Sequence, residues 1–159
     1  MTYKILFVCL GNICRSSAAE EIMRQQLVAA GLDTQVTVDS AGLINYHEGE
    51  LADPRMRDHA FRRGYKLTHR SRPVNPQDFQ SFDLILGMDH SNIQSLRRLA
   101  QTSEQKAKIR LITDYSKNTA ADIVPDPYYG GPSGFERVLD LLEDCTSGLV
   151  SHLQSSLPL

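Results

Sequence analysis

The sequence predicts an α/β protein, a small open parallel sheet of about four strands with helices on both faces. Three features point there. Short apolar runs of strand length alternate with stretches whose apolar residues recur at helical spacing. The opening 41 residues read as strand, loop, helix and parallel strand. A chain of 159 residues, 41% hydrophobic and 23% charged, suits one domain over residues 1–159 that buries its own core.

Each element follows from local pattern. Residues 4–9 are a short apolar run, read as the first strand. Over 17–30, Ala19, Ile22, Met23, Leu27 and Ala30 share one helical face, and Gly31 closes the helix. A second strand over 35–41 alternates Val36 and Val38 with Gln35, Thr37 and Asp39. Asp53-Pro54 starts a helix with an N-cap and a first-turn proline; Met56 and Ala60 share its face and Gly64 stops it. A strand over 84–88, a helix over 91–100 and a short strand over 109–112 come next. A loop holding Pro125, Pro127 and Pro132 then leads to Ser133-Gly134-Phe135-Glu136, read as a capping box. The last helix carries Phe135, Val138, Leu142, Cys145 and Leu149 on one side.

Composition excludes several classes. A formal charge of -2 argues against nucleic-acid binding through bulk charge. No stretch approaches the roughly 20 apolar residues of a membrane span, and the apolar start is too short for a secretory signal. A cytoplasmic protein is expected. Three cysteines make a poor disulfide framework and lack zinc-ligand spacing.

In an open parallel sheet, ligands bind beyond the carboxyl ends of the strands. The loop after the first strand reads Cys9-Leu10-Gly11-Asn12-Ile13-Cys14-Arg15-Ser16. Consecutive backbone N–H groups can curl round a tetrahedral anion there, with Gly11 and Asn12 tolerating positive φ and the next helix adding its positive end. This is therefore read as a phosphate-binding loop. Arg15 supplies a planar fork for two phosphoryl oxygens. Cys9, on the floor of an electropositive cup, is set up as a thiolate nucleophile, with Ser16 able to donate to it. Neither G-x-x-x-x-G-K-[ST] nor G-x-G-x-x-G occurs, so nucleotide binding by those routes is excluded.

Displacing an alcohol or phenol from phosphorus calls for a proton donor on a stiff segment. Asp126, bracketed by Pro125 and Pro127, answers that need, because the following proline restricts its backbone.

These pieces together resemble the low-molecular-weight protein tyrosine phosphatases, over essentially the whole chain. The most specific matches are Val8 to Ser16 and Asp126-Pro127-Tyr128-Tyr129-Gly130. Asp39-Ser40-Ala41-Gly42, Asp53-Pro54-Arg55 and the stretch from Asp83 to Asp89 support them. Ser-Ala-Gly after the second strand looks more like the bacterial members. The resemblance implies hydrolysis of phosphotyrosine and small aryl phosphates without a metal or other cofactor. Cys9 would form a phosphocysteine, Arg15 would clamp its oxygens, and Asp126 would serve as general acid and then base. Leu10, Gly11, Asn12, Ile13 and Cys14 would form the phosphate loop, with Asn12 organising it and Ser16 supporting the thiolate. Ser40 and His69 would back the loop, and Tyr46, Tyr128 and Tyr129 would line the cleft. The implied partners are phosphotyrosine proteins and a tyrosine kinase that the enzyme opposes.

Two departures stand out. Ser17 replaces the usual proline and is expected to form a capping box with Glu20; Ser71 replaces a usual alanine, with no consequence expected. Cys14 is read either as packing under the loop or as a disulfide partner for Cys9, and Tyr129 either as cleft wall or as a phosphorylation target. Residues 55–72 set Arg55, Arg57, Arg62, Arg63, Lys66, Arg70 and Arg72 against Asp58 alone, either steering acidic phosphopeptides or forming a solvated face. Two alternatives use the same loop. Arsenate reduction would need resolving thiols, and residues 82–89 hold none; a non-catalytic phosphate-binding module would not need Asp126.

Overall fold

The computed structural model describes residues 2–128 and 130–157. In chain order it has β1 (Tyr3–Cys9), α1 (Arg15–Ala29), β2 (Val36–Gly42), α2 (Pro54–Arg62), α3 (Asp78–Ser81), β3 (Leu84–Gly87), α4 (His90–Leu99), α5 (Ser103–Ala107), β4 (Ile109–Leu111) and α6 (Pro132–Ser156). A 3₁₀ turn over Ile112–Tyr115 follows β4. The four strands lie in the order β2-β1-β3-β4, and every pairing is parallel.

A parallel strand in the middle of a sheet is covered on both faces, so it must be apolar throughout rather than alternating. The run in β1 meets that demand. Ile5, Phe7 and Cys9 join the core built with α1, α2 and α6, while Leu6 and Val8 join a second core containing Phe79, Ile85, Ile93 and Leu96. Helices therefore cover both faces, as expected. The chain leaves β1 with β2 on one side and β3 on the other, which opens a crevice at the carboxyl end of β1.

Two expected helix caps are corrected. Helix α1 begins at Arg15 with Cys14 as N-cap and no side-chain cap. Ser17 thus lies inside the first turn, where its buried Oγ finds no partner. The Glu20 carboxylate is taken instead by Ser40 and Arg24. Likewise α6 starts on Gly131 and Pro132 without a side-chain cap, because Glu136 is drawn across to Arg63 and His59 of the α2 segment. The Asp53 cap of α2 forms as predicted, its carboxylate accepting from Arg55 N at 2.8 Å. The sequence pattern missed α3, α5 and the 3₁₀ turn, which are too short to show a helical period.

Candidate active site

The loop after β1 is held by its carbonyl groups. Leu43 N donates to the carbonyls of Cys9 and Leu10, Ser71 Oγ to Gly11 O at 3.0 Å, Asp53 N to Ile13 O and Ala18 N to Cys14 O. Among the described residues, no acceptor meets the backbone N–H groups of residues 11–17. With the carbonyls committed in this way, the N–H groups of the loop and of the start of α1 remain available to an anion. This accounts for an α1 without a side-chain cap, since a capping carboxylate or hydroxyl would compete with an anion for the same donors. It also gives Ser71 a role that the sequence reading denied it.

Asn12 adopts φ +58°, as anticipated. Gly11 does not take positive φ, correcting that expectation. Its lack of a side chain serves space instead, because a Cβ there would stand 3.3 Å from the His47 ring. Gly42 is similarly required, since a Cβ would lie 3.1 Å from Leu10 O and Gly11 C.

Beneath the loop, Cys9 is 3% exposed, with Sγ 3.1 Å from Ser16 Oγ. Asn12 Nδ2 donates to Ser16 Oγ at 2.8 Å and to Ser40 Oγ at 3.1 Å. Ser40 in turn donates to Glu20 Oε1 at 2.6 Å. The Asn12 amide oxygen accepts from His69 Nε2 at 3.0 Å and from Arg72 N at 3.1 Å. The expected backing residues Ser40 and His69 therefore meet at Asn12 and fix its amide.

Arg15 is buried, and Nη1 donates to Asp89 Oδ2 at 2.7 Å and to Val124 O at 3.0 Å. Burial works against its charge, but the Cys9 sulfur, the Asp89 hydrogen bond and Asp126 outweigh that and stabilise the guanidinium. Its Nη2 lies 3.7 Å from Asp126 Oδ2. Asp126 is 39% exposed at its side chain, and its other oxygen accepts from Tyr128 N at 3.0 Å. One carboxylate oxygen is thus fixed and the other faces the cup.

Cys9, Arg15 and Asp126 line one cavity of about 320 Å³ together with Leu10, Gly11, Ile13 and Cys14. Its outer wall is Ile44, Tyr46, His47 and Tyr128. Tyr46 is 80% exposed and meets His47 edge-on at 4.8 Å. The Arg55 guanidinium sits 5.3 Å from the centre of the Tyr128 ring and donates to Tyr128 O. Tyr129 lies outside the described residues. Cys14 is a free thiol, as is Cys9, and burial, followed by the charges of Asp53, Cys9 and Asp126, pushes the Cys14 thiol far up.

The chain as a whole is matched by a known family. The family model for low molecular weight phosphotyrosine protein phosphatase matches residues 4–158. The chain belongs to this phosphatase family. A low molecular weight protein-tyrosine-phosphatase of Streptomyces coelicolor is 44% identical over 156 residues, covering 97% of this chain and 95% of that one. The low molecular weight phosphotyrosine protein phosphatase of Schizosaccharomyces pombe is 38% identical over 155 residues, with 97% and 94% covered. A crystal structure of a protein tyrosine phosphatase from Entamoeba histolytica, with Hepes in its active site, superposes with TM-score 0.94 and 44% identity, covering 97% and 98%.

Within this phosphatase, sequence reasoning assigned no role to Asp89, Ile44 or His47. The Asp89 signal was present, since a capping Asp before α4, at the end of the strand beside β1, had to face the crevice. Ile44 and His47 carry no such signal. One histidine-carboxylate group, Glu20, Asp39 and His69, brings possible metal-ligand atoms within 4.8 Å. These atoms are engaged with one another, His69 Nδ1 lying 3.2 Å from Glu20 Oε1 and 3.5 Å from Asp39 Oδ1. Among the described residues, no helix is long and apolar enough to cross a membrane.

Proposed function

We propose that this protein, as one catalytic unit over residues 1–159, hydrolyses phosphotyrosine by covalent catalysis on Cys9. The supporting observation is the convergence on one cavity of Cys9, Arg15, Asp126 and loop residues whose backbone N–H groups meet no acceptor among the described residues.

In the first step the Cys9 sulfur attacks phosphorus in line. The P–O bond to the tyrosyl oxygen breaks as Asp126 delivers its proton to that oxygen, leaving phosphocysteine and a free phenol. Arg15 and the loop N–H groups hold the three equatorial oxygens, where charge accumulates. In the second step Asp126, now ionised, takes a proton from water, which attacks phosphorus. The P–S bond breaks, releasing inorganic phosphate and restoring the Cys9 thiolate. Tyr46, Tyr128 and the apolar rim at Leu10 and Ile44 give the phenyl ring a slot deeper than phosphoserine could use.

The partners are phosphotyrosine-bearing proteins, and the kinase that phosphorylates them is the activity opposed. A free-thiol nucleophile suits a reducing compartment, the cytoplasm. The test is Asp126→Asn assayed on two leaving groups. Phosphotyrosine turnover should fall about 10²- to 10⁴-fold, and that of an aryl phosphate with an acidic phenol much less. Equal losses on both would remove Asp126 from the proton transfer.

A further inference from the structure

A second cavity, of about 480 Å³, lies on the outer flank of α2. Pro54, Arg57, Asp58 and Phe61 line it from the helix, and Leu51, Lys66, Leu67 and Thr68 from the flanking chain. Positions 54, 57 and 61 fall on one helical stripe, opposite the buried Met56, His59 and Ala60. Phe61 is 67% exposed, a large apolar ring turned to solvent beside Arg57, Asp58 and Lys66.

Charge pairing sharpens this picture. Among the cations of residues 55–72, Arg55 is met by Asp53, Arg62 by Asp58, Arg63 by Glu136, Asp140 and Glu143, and Arg72 by Asp39 and Asp78. The basic run is therefore largely neutralised within the fold. Among the described residues, Arg57, Lys66 and Arg70 have no carboxylate within ion-pair distance, and Arg57 and Lys66 both border this cavity. Arg57 Nε is anchored on Ala52 O at 2.9 Å, which holds the guanidinium at the rim. The one carboxylate in the lining, Asp58, is engaged by Arg62, so two cations without an ion-pair partner beside an apolar floor complement a ligand that is anionic and apolar together.

The groove and the catalytic mouth are served by consecutive residues of α2. Pro54 lines the groove, while the next residue, Arg55, stacks on Tyr128 at the catalytic mouth. Consecutive Cα atoms are only about 3.8 Å apart. An extended peptide covers about 3.3–3.6 Å per residue, so a few residues beyond a bound phosphotyrosine reach from one cavity to the other over the first turn of α2.

We propose that this groove docks the stretch of phosphoprotein flanking the phosphotyrosine, and favours a stretch with carboxylates beside one apolar side chain. This rests on the phosphotyrosine reading above and extends it from the phosphoryl group to the surrounding sequence. Arg57 and Lys66 read the carboxylates, and Phe61 with Leu51 and Leu67 takes the apolar side chain.

The experiment compares kcat/KM for two matched phosphotyrosyl peptides, one with an acidic, apolar flank and one with lysines replacing the carboxylates. p-Nitrophenyl phosphate is the control. The enzymes are the parent, the double variant Arg57→Gln, Lys66→Gln, and Phe61→Ala. The parent should prefer the acidic peptide, and each variant should lose about tenfold on that peptide through KM, with p-nitrophenyl phosphate turnover unchanged. Normal p-nitrophenyl phosphate turnover with the same peptide ratio in all three enzymes would overturn the docking proposal alone. Failure of the parent on every substrate would instead overturn the phosphatase reading. Sedimentation provides the remaining arm: a parent dimer that Phe61→Ala dissociates, with unchanged peptide kinetics, would give the groove to a second copy of the chain and overturn the proposal.

Discussion

Asn12 donates to Ser16 Oγ at 2.8 Å, and that hydroxyl lies 3.1 Å from Cys9 Sγ. With one of its lone pairs occupied by Asn12, Ser16 keeps its single hydrogen for the sulfur. Ser16→Ala removes a charge-assisted bond of about 1.5–3 kcal/mol, so kcat should fall about 10- to 100-fold while KM for a small aryl phosphate changes little. Asn12→Gly preserves positive φ without the amide and should be similarly impaired. If Asn12→Gly were fully active, Asn12 would matter only for its backbone.

The three cysteines should differ sharply in reactivity. Burial, then the nearby negative charges, pushes the Cys14 thiol far up, and burial with Asp144 pushes Cys145 up to about 12. Both are therefore protonated, poor nucleophiles at neutral pH. Iodoacetamide at neutral pH should modify Cys9 selectively, and inorganic phosphate should protect it. Peptide mapping that found Cys14 labelled first would contradict this.

How far the sequence was readable depends on whether the informative residues were neighbours along the chain. The phosphate loop was legible because Cys9, Arg15 and Ser16 fall in one stretch with a fixed chemical spacing, and β1 because burial on both faces demands an unbroken apolar run. Asp89 contacts Arg15 across 74 positions, and only the strand order makes them neighbours. The two failed capping boxes share one cause. Glu20 and Glu136 had the right local spacing, but Glu20 is taken by Arg24 one turn along the same helix and by Ser40 and His69 across the fold, and Glu136 by Arg63 and His59. Ser71 looked neutral because the carbonyl it holds, on Gly11, is distant in sequence.

Stability at low pH should report on Asp53. Burial raises its carboxyl, but hydrogen bonds from the Arg55 side chain and from the Arg55 and Met56 backbone outweigh this and hold it below its ordinary 3.8. A depressed carboxyl contributes stability above its unfolded value, and that contribution is lost as pH falls through the folded value. Asp53→Ala should cost about 1 kcal/mol at neutral pH as a lost N-cap, with the gap to the parent narrowing below pH 3.8. Urea unfolding at both pH values checks this; a constant gap would contradict it.

Gly148 offers a test with an unusual sign. Replacing a mid-helix glycine with alanine ordinarily stabilises by up to about 1 kcal/mol. Here a Cβ would stand 1.7 Å from Tyr115 O, so α6 and the 3₁₀ turn must separate. Overpacking of this kind costs about 1–3 kcal/mol, and Gly148→Ala should lower the melting temperature. An unchanged or raised value would show that the two segments yield easily.

The covalent step is open to direct observation. Asp126→Ala, mixed with an aryl phosphate whose leaving group needs no acid and quenched within a turnover, should carry one phosphoryl group on the peptide containing Cys9, detected by mass spectrometry. The Cys9→Ser enzyme treated identically should show no phosphocysteine and no turnover. Continued turnover of the parent with no phosphorylated Cys9 at any quench time, or with the phosphoryl group on another residue, would contradict the mechanism.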